Sequence, residues 1–275
     1  MHWIDWIILP AVGAVGGFLA GLLGVGGGII FVPLLTWYLH KLGIQSDEIV
    51  KFTLANSIFL VVVSGLAGIY RQKKSNAWDY KRAFAIGIPG AAVAWIWSYF
   101  IESGTWYSKE RFQTVFLGFL LFSIGNMIFG KSAGQENQEQ ASSRLGWKET
   151  LVGLLAGTVV SLSGLGGGVI MVPLFRMLLK MPMRKATALS LSIIPMLGLF
   201  PLLNYAISTP QSQSSIAHTG YIVWPLAIPI SLGVAIFASL GVKSAAKVPV
   251  LWLRIIFALM SAGIFIKTLT EIINK

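Results

Sequence analysis

The sequence predicts an all-α polytopic membrane protein made of two inverted-topology repeats. Each repeat is a Gly-broken, re-entrant-like helix hairpin followed by three transmembrane helices. Three observations predict this. Of 275 residues, 55% are hydrophobic and only 11% are charged, under half of the ~25% typical of a soluble domain. The apolar residues fall into long runs with short polar breaks between them. A ten-residue glycine-rich segment occurs twice, half a chain apart.

So few charges could not cover a water-facing surface of this size, which excludes a typical cytosolic enzyme and a disordered chain. The absence of Cys removes disulfide modules, thiolate catalysis, iron–sulfur clusters and Cys-based zinc sites. Apolar runs cover roughly residues 6–39, 49–70, 83–101, 112–129, 151–179, 186–207, 221–242 and 248–266. A helix needs about 20 apolar residues to cross the hydrocarbon core, so six runs fit one span each. The first and fifth are too long for one span, and both are interrupted by glycines. No run alternates apolar with polar residues, which excludes a β-barrel. The opening MHWIDWIILP carries Asp5 and no Lys or Arg, so no cleaved signal peptide is expected.

The net charge of +11 is an orientation signal. Placing the basic residues on alternating sides puts fourteen of the 21 on one face, in 71–82, 131–148, 176–185 and 243–247, and six on the other. The positive-inside rule makes the richer face cytoplasmic, so loops 71–82, 131–149 and 176–185 are expected in the cytoplasm and 208–220 outside. Arg254 lies within the last run, close enough to the richer side to snorkel there. Anionic lipid contact is secondary, and nucleic acid is not an expected partner. Eight of the ten Trp lie near span ends, as an interfacial belt would have them. Trp95 and Trp97 lie within a span, where lipid or helix packing is the simpler reading and a pathway lining the alternative.

GVGGGIIFVP (24–33) returns as GLGGGVIMVP (164–173), identical at seven of ten positions at an offset of 140. Lys51 and Thr53 are matched by Lys185 and Thr187, and Ile88-Pro89 by Ile228-Pro229. The domains are therefore a first transmembrane repeat, 1–130, a cytoplasmic linker, 131–149, and a second repeat, 150–275. Equivalent loops have opposite charge bias: 71–82 is strongly basic, whereas 208–220 has no Lys or Arg. Halves that sit upside down relative to each other explain this; a parallel repeat would require like bias.

Four glycines in five residues make a poor helix interior, at about 1 kcal/mol per Gly relative to Ala. Backbone groups freed at bilayer depth must find partners in protein, water or substrate. The helix resuming after each break directs its first N–H groups, and the positive end of its dipole, back into the break. Pro33 and Pro173 loosen the turn that follows. Two breaks meeting near the midplane would form an anion site without a buried Lys or Arg. The candidate substrate residues are Gly26, Gly27, Gly28, Gly166, Gly167 and Gly168, with Thr53, Asn56, Ser57, Ser161, Ser163, Thr187 and Ser190 as nearby polar donors; Thr158 and Ser192 are further candidates. The alternative is close packing of helices on small residues, which suits Gly13 to Gly21 better than consecutive glycines. Each hydroxyl could equally bond its own backbone.

No Asp or Glu lies in the middle of a predicted span: Asp5, Asp47, Glu48, Asp79, Glu102, Glu110 and Glu271 are at ends or in loops, and Glu136, Glu139 and Glu149 fall in the linker. No buried proton relay is therefore expected. Anion efflux needs none, since an inside-negative potential contributes about 2.3 kcal/mol per charge per 100 mV. No metal-ligand, HExxH, GxSxG or nucleotide-loop pattern occurs. No catalytic residue, metal or cofactor is predicted, and the chain is not read as an enzyme.

With GLLGVGGGIIFVPLL (21–35), SLSGLGGGVIMVPLF (161–175), the Lys-x-Thr marks and the two-half layout, the sequence resembles the sulfite exporter TauE/SafE family. The resemblance spans about residues 5–270. It implies a multi-pass transporter of the plasma (inner) membrane, acting on small sulfur-containing anions such as sulfite or organosulfonates. Alternating access at the midplane is the expected mechanism. An anion channel, an importer of the same substrates, and a membrane enzyme or assembly subunit are the competing readings. The lipid bilayer and the anion are the expected partners, with oligomeric state open and a homodimer among the options.

Overall fold

The computed structural model describes residues 4–44, 48–74, 79–129, 146–211, 216–245 and 247–273. Most of the stretch read as a linker, 131–145, lies outside them, as does part of each of the loops 71–82 and 208–220. Ten helices are described: α1 (Asp5–Leu23), α2 (Gly28–Lys41), α3 (Ile49–Lys74), α4 (Tyr80–Ser103), α5 (Lys109–Phe129), α6 (Trp147–Ser163), α7 (Gly168–Met177), α8 (Met183–Ile207), α9 (Trp224–Ala245) and α10 (Val250–Ile273). Five of them, α1, α3, α4, α8 and α9, are long and apolar enough to cross a membrane. The protein is thus a helical, multi-pass membrane protein.

Both long apolar runs are broken where their glycines predict. α1 stops at Leu23 because Gly24 adopts φ +73° and returns its N–H to the Ala20 carbonyl; α6 stops at Ser163 with Gly164 at φ +66°. Each second helix starts after a left-handed N-cap, Gly27 or Gly167. Three glycines per break, Gly24, Gly26 and Gly27 or Gly164, Gly166 and Gly167, hold positive φ, a conformation that costs other residues about 1–2 kcal/mol each.

Small residues set the helix packing. α1 lies on α9 through Gly13, Gly17 and Gly21, where an added Cβ would strike the backbone of Ile230, Val234 and Ala238 respectively. α6 lies on α4 in the same way, with Gly153 on Ile86 and Gly157 on Gly90. In both cases the broken helix of one half packs on a helix of the other. Such contacts suit a bilayer, where van der Waals fit replaces the hydrophobic effect between helices. α3 and α8 occupy the centre and are the most buried of the long spans. Apolar side chains cover the periphery, including Ile7, Ile88, Leu203 and Ile236. Trp95 is exposed on that periphery and Trp97 lies against Trp106, their ring centroids 6.2 Å apart. Both positions fit the lipid-packing reading.

Two details depart from the sequence reading. α6 begins at Trp147, so Glu149 is not a linker acid: it is buried in the first turn, 3.5 Å from Arg82 of α4. A polar stretch hides a helix start when its first turn carries capping and ion-pairing groups instead of apolar ones. The second is a two-rung antiparallel ladder that pairs β1 (His218–Thr219), in the stretch read as a loop, with β2 (Ile222–Val223), at the start of the apolar run 221–242 read as a span.

Gly157→Val should cost more than the ~1–3 kcal/mol typical of core overpacking, because the obstacle is a backbone carbonyl. Gly118→Ala, on an exposed helix position with open space around it, should be neutral or slightly stabilising. Melting of each variant in detergent, followed by gel filtration of a fluorescent fusion, separates the two.

Candidate functional site

The two breaks are in direct contact. A Cβ on Gly28 would meet the Gly164 carbonyl oxygen and lie 2.6 Å from Leu165 Cα; one on Gly168 would meet the Gly24 carbonyl and lie 2.5 Å from Val25 Cα. The fourth glycine of each break is therefore required by this approach and not by its own φ. Gly26 and Gly166 also face each other, with a Cβ on Gly26 reaching 3.7 Å from Gly166 Cα.

Serines from the central helices complete the crossing. Ser57 of α3 donates to the Gly164 carbonyl at 2.8 Å, and Ser190 of α8 donates to the Gly24 carbonyl at 2.7 Å. Each half thus holds the break of the other through one hydroxyl. Ser64 adds a bond to the Gly26 carbonyl at 3.0 Å. The Gly24, Gly26 and Gly164 carbonyls are thus satisfied inside the protein, as a hydrocarbon environment demands. The N–H groups of Gly26, Gly27 and Gly28, and of Gly166, Gly167 and Gly168, meet no backbone acceptor among the described residues. They are donors at the positive ends of α2 and α7.

The remaining candidates separate by what they bond. Ser163 bonds the Val159 carbonyl and accepts from Leu165 N–H, bridging the entry to the second break. Ser161 donates to the Ala94 carbonyl and fastens α6 to α4. Thr53 is buried with its hydroxyl 3.3 Å from that of Thr36. Thr187 bonds the Arg184 carbonyl, and its Cα would lie 2.6 Å from a Cβ on Gly24. Thr158 is half-buried and its hydroxyl donates to the carbonyl of Leu154 in its own helix. Ser192 bonds Gln72.

Asn56 is placed elsewhere than the breaks. Its amide donates to the Phe52 and Tyr221 carbonyls at 2.8 and 3.0 Å and accepts from Val223 N–H at 3.0 Å. It pins the β1–β2 ladder onto α3. The Tyr221 hydroxyl donates to Glu48, which also accepts from Gln211 N–H, and the Tyr221 ring stacks edge-on against Phe52 and Tyr205. Burial, followed by the Glu48 carboxylate, pushes the Tyr221 phenol above its ordinary range, so it remains a neutral donor. Lys51 donates to the Glu102 carbonyl at the end of α4. This hydrogen-bonded seal was missed in the sequence; Thr219-Gly220 was its one turn signal.

Broken helices whose N-termini meet between two packed halves, inside a multi-pass helical protein, are the build of a membrane transporter, and comparison with known proteins agrees. The family model for sulfite exporter TauE/SafE matches residues 9–268, so the chain belongs to that family. It is similar to a probable membrane transporter protein of Methanocaldococcus jannaschii, 29% identical over 91% of this chain and 90% of that one. Similar proteins described in the same words occur in Haemophilus influenzae, 26% identical over 90% and 92%, and in Xylella fastidiosa, 30% identical over 73% and 74%. No solved structure is significantly similar.

Ser57→Ala and Ser190→Ala each leave a buried carbonyl without its donor, and each should cost about 1–3 kcal/mol. Denaturant or thermal unfolding in detergent checks this, with Thr158→Ala as the near-neutral reference.

Proposed function

We propose that the protein is an exporter of small sulfur-containing anions such as sulfite or organosulfonates, working by alternating access at the paired glycine breaks. The observation that carries this reading is the convergence of the α2 and α7 N-termini, each with unpartnered N–H donors, at one crossing between the halves. Backbone N–H groups at a helix start suit an oxyanion without a lysine or arginine in the hydrocarbon. Family membership supports the substrate class, and the reversed charge bias of equivalent loops supports halves of opposite topology, with the basic loops in the cytoplasm and the plasma membrane as the site of action.

In the conformation described, the breaks lie against each other and Ser57 and Ser190 hold them shut. An anion replaces those contacts when α3 and α8 part, and the freed N–H groups become its ligands. The carbonyl–serine pairs then act as a latch between the halves. Asn56 belongs to the seal at the α8–α9 connection, where its amide keeps the ladder closed over α3, and so it governs access more than recognition. Carriage of a negative charge outward follows the membrane potential, which accounts for a transport path without a buried acid.

Purified protein in liposomes should exchange labelled sulfite for internal sulfite, which a carrier does and an open pore does not. Gly26→Ala and Gly166→Ala place a methyl group at the crossing at a conformational cost of about 1–2 kcal/mol each. They should cut the exchange rate at least tenfold while inserted protein remains normal. Exchange at the normal rate in both variants would contradict a site at the breaks, and flux without counterflow would make the protein a channel.

A further inference from the structure

A cavity of about 500 Å³ opens between the starts of α4 and α8 and the end of α3, lined by Gln72, Asp79, Arg82, Arg184, Lys185 and Leu189 among others. It lies on the basic face of the protein. Arg82 is occupied: it faces Asp79 at 3.9 Å and Glu149 at 3.5 Å. Arg184 and Lys185 differ. Both are exposed, and no carboxylate pairs with either among the described residues.

Their position is unfavourable without an anion. Both occupy the first turn of α8, where the helix dipole is positive and a cation is destabilising. Arg82 sits likewise in the first turn of α4. The repeat-related lysine of the first half, Lys51, is treated differently, since its ammonium bonds the carbonyl of Glu102 near the end of α4. Of the two matched lysines, one is engaged in the seal and the other is left lining a cavity.

The cavity also leads toward the breaks. Its wall is fixed by Gln72, whose amide donates to the Ala188 carbonyl and accepts from Ser192. The next residues of the same α8 turn reach the first break, Thr187 beside Gly24 and Ser190 bonded to the Gly24 carbonyl.

We propose that this cavity is a vestibule in which Arg184 and Lys185 bind the anionic cargo, a small sulfonate- or sulfite-type oxyanion, before it enters the crossing at Gly24. The proposal rests on the transport reading above for its direction, and the binding step can be tested without flux. The conformation described is then the one open to the basic face, with the Asn56–Tyr221 seal closed at the other end.

Ala188→Cys supplies a thiol in a chain with no Cys, and its modification by a water-soluble methanethiosulfonate reports access to the cavity. In phosphatidylcholine vesicles, methanesulfonate should slow this labelling. The protection should weaken about tenfold in Arg184→Gln/Lys185→Gln, which corresponds to ~1.4 kcal/mol, and return in Arg184→Lys/Lys185→Arg, where both charges are kept. Absent protection, or equal protection in the Gln variant, would overturn the vestibule. Loss of protection when phosphatidylglycerol is added would assign the cavity to a lipid headgroup and overturn it equally. Labelling that is protected as expected in a protein that moves no sulfite would instead refute the transport reading and leave this binding site standing.

Discussion

Every backbone polar group at bilayer depth must find its partner within the protein, and the rest of this structure follows from how two broken helices meet that demand. Each break exposes carbonyls and N–H groups that an unbroken helix would pair internally. The carbonyls of Gly24 and Gly164 are taken up by Ser190 and Ser57 from the opposite half. The glycines Gly28 and Gly168 let the two backbones come close enough for this to happen. Ser64 serves the Gly26 carbonyl from within the first half, but the Gly24 and Gly164 carbonyls each take their side-chain donor from the other half. Association of the halves is therefore a requirement of solvation as well as of packing.

The same logic extends outward. Helices that carry a break need rigid neighbours, and both find them across the halves: α1 on α9 and α6 on α4, through glycines that admit backbone-to-backbone contact. The Arg82–Glu149 pair joins the first turn of α4 to that of α6; breaking such a buried pair costs about 3–5 kcal/mol. Polar groups thus sit where they lock elements together, and the apolar surface faces outward. The N–H groups of the breaks are the exception. Among the described residues they meet no backbone acceptor, which is the property expected of a place where an anion visits.

Much of this was legible in the sequence because it has a covalent cause. A GxGGG segment forces a helix to stop, and both stops lie where the glycines are; the glycine ladder from Gly13 to Gly21 packs helices as small residues do. The family was legible in the same segments. What could not be read depends on contacts between residues far apart in the chain. Asn56 looked like a substrate donor because a buried amide demands partners, and its partners turned out to be Tyr221 and Val223, 165 and 167 residues away. Ser57, Ser161 and Ser190 bond distant carbonyls instead of their own helices, whereas Thr158 and Ser163 bond their own. Glu149 was hidden by the polar stretch before it. Arg184 and Lys185 were visible as charges that set orientation, but the cavity between them exists only in three dimensions.

On the transport mechanism we propose, the N–H groups at the crossing receive the anion. Anomalous X-ray scattering from crystals grown with selenite, a heavier relative of sulfite, tests it most directly. A selenium peak is expected within hydrogen-bonding distance of the Gly28 and Gly168 N–H groups, with the Ser57–Gly164 and Ser190–Gly24 bonds opened. Selenium bound elsewhere in the protein, in crystals of an open conformation whose crossing stays unoccupied at saturating selenite, would contradict it.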